Sequence, residues 1–86
     1  MPTIDDIILA MRSNPAGISF RMLERVCEHF FGPARVAKGS HRIYGTPWTG
    51  DPRINIQDAR GKAKAYRVRQ VLKAIEKLTA GERNEE

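Results

Sequence analysis

Cysteine is almost missing from this 86-residue chain: Cys27 stands alone, so an internal disulfide framework and a multi-thiolate zinc site are both excluded. Histidine is nearly as scarce, at His29 and His41, and with one thiol beside them neither a structural metal nor a cofactor is expected. Long apolar runs are lacking too. The longest, such as Ile7 to Met11 and Phe30 to Phe31, fall far below the roughly 18 residues a membrane span needs. Asp5 and Asp6 stand where a secretory leader would carry positive charge, so a soluble, cytoplasmic protein without membrane association is expected. A chain this short buries somewhat more than about 60 % of its unfolded surface and has no material for a second core. Residues 1–86 therefore read as a single domain.

Acidic residues are the scarce charge, and their scarcity is local. Fifteen Lys and Arg face ten Asp and Glu, for a net +5 and a pI near 9.9. Residues 1–33 carry three basic groups against four acidic ones, whereas residues 34–81 carry eleven against three. A surface for a polyanion, nucleic acid first, is thus expected from the second half. Residues 82–86 return to acid without an apolar anchor and read as a frayed tail.

Thr3 followed by Asp6, with Ile4, Ile7, Ile8 and Met11 at helical spacing, predicts a capped amphipathic helix over 3–13 that ends at Pro15. After the turn Asn14-Pro15-Ala16-Gly17, Ser19 caps a second helix with Phe20, Leu23, Val26, Cys27 and Phe30 on its apolar face. Gly32-Pro33 stops it. Arg35 to Lys38, Ser40 to Tyr44 and Arg53 to Gln57 are short alternating runs separated by Gly39 and by the loop Gly45 to Pro52, which predicts three short antiparallel strands. Ile54 and Ile56 set the buried parity of the third strand and turn Arg53, Asn55 and Gln57 outward, while Ile43 and Tyr44 leave the second strand's parity open. Val68, Val71, Leu72, Ile75 and Leu78 predict a last helix over about 64–79, closed by Gly81. The simplest packing is an α+β sandwich, a three-stranded sheet with helices on one face.

Among the polar residues, His41 carries a group able to take up and release a proton at neutral pH. It follows the turn Lys38-Gly39-Ser40 and is flanked by Lys38 and Arg42; a polar histidine at a strand end with no chemical role is the plainer account. Lys62, Lys64, Arg67 and Arg69 surround the start of the last helix, where unpaired backbone N–H groups and the dipole attract anions. A phosphate site and a solvated basic face both fit that run. The stripe Arg69, Lys73, Lys77 suits solubility. Trp48, in its Gly/Pro-rich loop, can stack on a base, dock a partner or close the core. His29 falls on the outer face of the second helix and reads as exposed.

The string Lys38-Gly39-Ser40-His41-Arg42-Ile43-Tyr44, followed by Gly61-Lys62-Ala63-Lys64-Ala65-Tyr66-Arg67-Val68-Arg69-Gln70-Val71-Leu72, resembles the HicA family of toxins from toxin–antitoxin modules, over about residues 19–79. The resemblance implies a double-stranded-RNA-binding-domain-like fold, helix–three strands–helix, with residues 3–13 as an extra N-terminal helix. It implies an endoribonuclease acting on mRNA, neutralised by a HicB-like antitoxin protein, with His41 in the place of the catalytic histidine. Many members carry a Pro and a second His near the end of the third strand. This chain has Ile56-Gln57-Asp58-Ala59 there.

RNA can be cut without metal when its own 2′-OH attacks the adjacent phosphate, given a base, an acid and cations for the phosphorane. His41 is the expected proton-transfer group. Lys38, Arg42, Lys62 and Lys64, with Arg67 and Arg69 beside them, are the expected phosphate contacts, and Ser40 shapes the turn. Tyr44, Tyr66 and water stay open for the second proton transfer, with His29 a remote further candidate because its helical face points elsewhere. Two other classes fit the same composition: a non-catalytic RNA-binding module, and a winged-helix DNA binder using the Asn14 to Ser19 turn, whose recognition helix would set Arg21 and Arg25 against Glu24 and Glu28. An adaptor whose positive face meets an acidic protein is the blandest reading.

Overall fold

The computed structural model describes residues 2–37, 41–46 and 53–83. Helix α1 (Ile4–Ser13) begins with a reciprocal cap: the Asp6 N–H donates to Thr3 Oγ1 at 3.1 Å and the Thr3 N–H donates to Asp6 Oδ2 at 3.2 Å. That pair satisfies two donors that a helix start would otherwise leave to water. Pro15–Gly17 then makes one 3₁₀ turn, Ile18 is buried, and Ser19 Oγ accepts from the Met22 N–H at 3.2 Å to open α2 (Phe20–Phe31). Helix α2 stops at Gly32, whose φ of +87° suits glycine alone, with Pro33 behind it.

Strands β1 (Arg35–Ala37), β2 (His41–Tyr44) and β3 (Ile54–Gln57) pair antiparallel in that order. Arg42 lies opposite Ile56 and Tyr44 opposite Ile54, so these four share one face. Tyr44 and Ile56 are fully buried and Arg42 reaches α2, which identifies this as the helix-facing side. His41, Ile43, Asn55 and Gln57 therefore point the other way. The parity that Ile43 and Tyr44 left open is settled with Tyr44 inside and Ile43 half-buried on the far face.

Between β3 and the last helix the chain makes a two-residue turn. The Ala59 N–H donates to the Lys62 carbonyl at 2.9 Å and the Lys62 N–H to the Ala59 carbonyl at 3.1 Å, with Arg60 at φ +57° and Gly61 at φ +83°. Two positive φ values in succession make this a primed hairpin turn. The Asp58 carboxylate accepts from the Gly61 N–H. The turn is tied to the start of α2: the Phe20 N–H donates to the Gly61 carbonyl at 3.0 Å and the Ala63 N–H to the Ile18 carbonyl at 2.9 Å.

Helix α3 runs Ala65–Arg83, longer than the predicted 64–79. Gly81 does not close it, and Glu82 and Arg83 belong to the helix rather than to a frayed tail. The contrast with Gly32 is physical: Gly81 is followed by the helix formers Glu82 and Arg83, with no proline to forbid another turn. Helices α2 and α3 pack on the sheet, and α1 packs on both. Ile7, Met11, Leu23, Val26, Cys27, Tyr44, Ile56 and Val68 form the fully buried centre. The architecture is α+β, as expected. No helix among the described residues is long and apolar enough to cross a membrane.

Candidate functional site

His41 opens β2 on the sheet face turned away from the helices and is partly exposed. Its Nδ1 lies 3.5 Å from Asn55 Oδ1 on the neighbouring strand. An amide oxygen only accepts, so this contact favours the tautomer protonated at Nδ1 and leaves the Nε2 lone pair as the proton acceptor. Asn55 sits diagonally across the ladder from His41, whose direct partner is Gln57. Strand parity already turned Asn55 outward, but nothing in a lone Asn between two isoleucines pointed to a partnership fourteen residues away.

Arg42 does not join His41. Successive strand residues point to opposite faces, and Arg42 goes to the helix side, where Nε donates to Glu24 Oε2 at 3.1 Å and the guanidinium carbon lies 5.7 Å from the Phe20 ring centroid. Its expected role as a phosphate contact beside His41 is replaced by an ion pair that ties β2 to α2. The same alternation removes Tyr44 from the chemistry. Its hydroxyl is buried with no hydrogen-bond partner among the described residues, and burial, with Cys27, Glu24 and Glu28 nearby, raises its pKa against the lowering influence of Arg42. Burial likewise pushes the Cys27 thiol up to about 12, with Glu28 and Glu24 adding to it. Both groups stay protonated at neutral pH.

The remaining cations divide. Lys62 and Lys64 are exposed in the lead-in to α3, and Arg69 is exposed on the helix itself. Arg67 is partly buried: its guanidinium lies 4.9 Å from the centroid of the Tyr66 ring, Nη1 donates to Gln70 Oε1 at 3.2 Å, and Nε is buried without a partner among the described residues. Tyr66 is exposed beside it. Lys38, Ser40 and Trp48 lie outside the described residues. His29 is exposed, as expected, with its ring edge-on to Phe30 at 4.9 Å. Residues 58–64 leave the end of β3 that pairs with His41, but this segment is bonded to Ile18 and Phe20 at the start of α2, so Lys62 and Lys64 stand at the helix layer and not beside the His41 ring. Two arginines that the motifs did not single out, Arg35 and Arg53, are exposed at the opposite end of the strands.

Fold and site together define a small α+β domain with an amide-held imidazole on the far face of its sheet and a basic lead-in to its last helix. Compared with known protein families, curated proteins and solved structures, the chain has no match.

Proposed function

We propose that this chain is a HicA-like toxin, a metal-independent endoribonuclease that cuts mRNA with His41 as its acid/base group and is neutralised by a HicB-like antitoxin in the cytoplasm. The observation that carries the reading is the placement of His41: an accessible ring whose Nδ1 faces Asn55 Oδ1 and whose Nε2 is left to act. In this scheme Nε2 takes the proton of a ribose 2′-OH, the O2′–P bond forms and the P–O5′ bond breaks. Tyr66 or water returns a proton to the leaving 5′-oxygen, and cationic side chains offset charge on the phosphorane. The products are a 2′,3′-cyclic phosphate and a 5′-OH. The order helix–three strands–helix within residues 19–83 supports a double-stranded-RNA-binding-domain-like reading of the core, with α1 as an addition.

The test is cleavage of a mixed-sequence RNA in chelator, with the new ends identified chemically. Cyclic phosphate ends that vanish in His41→Ala support the proposal. Wild-type cleavage by His41→Ala, or cleavage only with added divalent metal, refutes it. A protein that binds the RNA without cutting it is the non-catalytic module, a reading the exposed lysines before α3 would serve equally well.

A further inference from the structure

The far face of the sheet carries a second feature. A cleft of about 320 Å³ opens at the Tyr44 end of the strands, lined by Pro33, Arg35, Ile43, Gly45, Thr46 and Arg53. Among the described residues that line it, two are cations and none is acidic. Arg35 on β1 lies directly opposite Ile43 on β2, and Arg53, immediately before β3, continues the outward parity of Asn55. The two arginines thus flank β2 from either side, about 10 Å apart at their backbones from the spacing of neighbouring strands. Two long side chains can close that distance around one phosphate, each offering a planar fork of donors. Ile43 and Pro33 give the cleft an apolar wall suited to a ribose or a base. Gly45 lines the cleft without a side chain, and a Cβ built there meets nothing within 4 Å, so a larger residue fits at this position and would project into open space.

Position completes the argument. His41 and Ile43 lie two residues apart on the same strand and the same face, roughly 7 Å along it. A polynucleotide with one phosphate in the cleft would therefore pass its next linkage over His41. We infer that the Arg35/Arg53 cleft binds a backbone phosphate of single-stranded RNA beside the linkage held at His41. This rests on the ribonuclease reading for its substrate. Single-stranded RNA is the fitting form, because its ribose and base are free to lie against Ile43 while one phosphate meets the two arginines.

The experiment uses a fluorescent single-stranded oligoribonucleotide with 2′-O-methyl groups throughout, which cannot be cleaved by the 2′-OH route, titrated by anisotropy at several salt concentrations. Arg35→Gln/Arg53→Gln should weaken binding about tenfold and reduce the salt slope by about 0.7 for each phosphate that is no longer neutralised. Gly45→Val, which keeps both charges and fills the cleft, should also weaken binding. Melting temperatures should match the wild type, because all three positions lie outside the core. Wild-type affinity in both variants overturns the inference, and so does failure of the wild-type protein to bind the oligonucleotide. Since the probe cannot react, the result is independent of catalysis. Loss of binding in the cleft variants alongside a wild-type protein that cuts no RNA would refute the nuclease and leave the cleft.

Discussion

His41 and Arg42 are adjacent in the chain and serve opposite sides of one sheet. Arg42 turns to the helices with Tyr44, Ile54 and Ile56, where its charge is held by Glu24 beside the buried Tyr44 and Ile56. His41 turns away with Ile43, Asn55 and Gln57, toward solvent and the cleft between Arg35 and Arg53. The lesson is that chemical type does not assign a strand residue its role. Parity does, and a cation next to a candidate catalytic group is on the wrong side of the sheet whenever it is next to it in sequence.

The two faces should separate cleanly under mutation. The largest effect belongs to the far face: His41→Ala should lower RNA cleavage by about 10²–10⁴ while the melting temperature stays put. The helix face should answer with stability instead. Ile56→Ala removes a fully buried side chain and should cost about 2–5 kcal/mol, whereas Asn55→Ala, one residue earlier and facing the other way, should cost under about 0.5 kcal/mol yet slow cleavage by loosening the His41 ring. Urea titrations of the two variants check this, and a stability loss in Asn55→Ala as large as that in Ile56→Ala would dissolve the distinction.

Alkaline pH probes the helix face through its two buried titratable groups. Burial holds the Cys27 thiol at about 12, while the unfolded thiol titrates near about 8.5. Between those values the folded chain keeps a proton that the unfolded chain has lost, so stability falls as pH rises, by about 1.4 kcal/mol per pH unit for this group. Tyr44, also raised, steepens the fall above about pH 10. Stability should be unaffected by either group below the unfolded thiol's pKa. Urea midpoints at pH 8, 10 and 11 should show the decline, and Cys27→Ala should flatten its first part. Tyr44→Phe removes a buried hydroxyl that has no partner among the described residues, so it should leave stability at pH 7 unchanged or raise it by about 1 kcal/mol, with cleavage at the wild-type rate.

Much of this division was legible in the chain, and the boundary of legibility is physical. Thr3 with Asp6, Ser19 before Phe20, and Gly32 before Pro33 act within four residues of themselves, so the caps and stops of α1 and α2 can be read locally. Gly81 carries half of the Gly32-Pro33 signal, and half did not stop the helix. The face of β2 could not be read, because Ile43 and Tyr44 are both apolar and only pairing with β3 decides between them. Arg42 shares that ambiguity: once Tyr44 is inside, Arg42 is inside with it. Asn55 and the cleft arginines depend on register between strands, which no single segment contains. The turn at Arg60 and Gly61 was hidden by a non-glycine residue at positive φ, where Asn or Gly is the usual marker.

The smallest expected effect is the sharpest check on the sheet's two sides. The Arg42–Glu24 pair is about a quarter exposed at each side chain, so screening leaves it only part of its Coulomb attraction. A double-mutant cycle with Arg42→Ala and Glu24→Ala should give a coupling of about 0.5–1 kcal/mol, reduced by added salt. Arg42→Ala alone should cost somewhat more than Glu24→Ala, since it also strips the guanidinium from the Phe20 ring. Neither change should alter cleavage by more than about threefold once the protein is folded, because the Arg42 side chain is engaged by Glu24 and the Phe20 ring on the side of the sheet away from the His41 ring. If Arg42→Ala instead abolished cleavage at undiminished stability, Arg42 would be a substrate contact after all, and the two faces would have to be assigned the other way round.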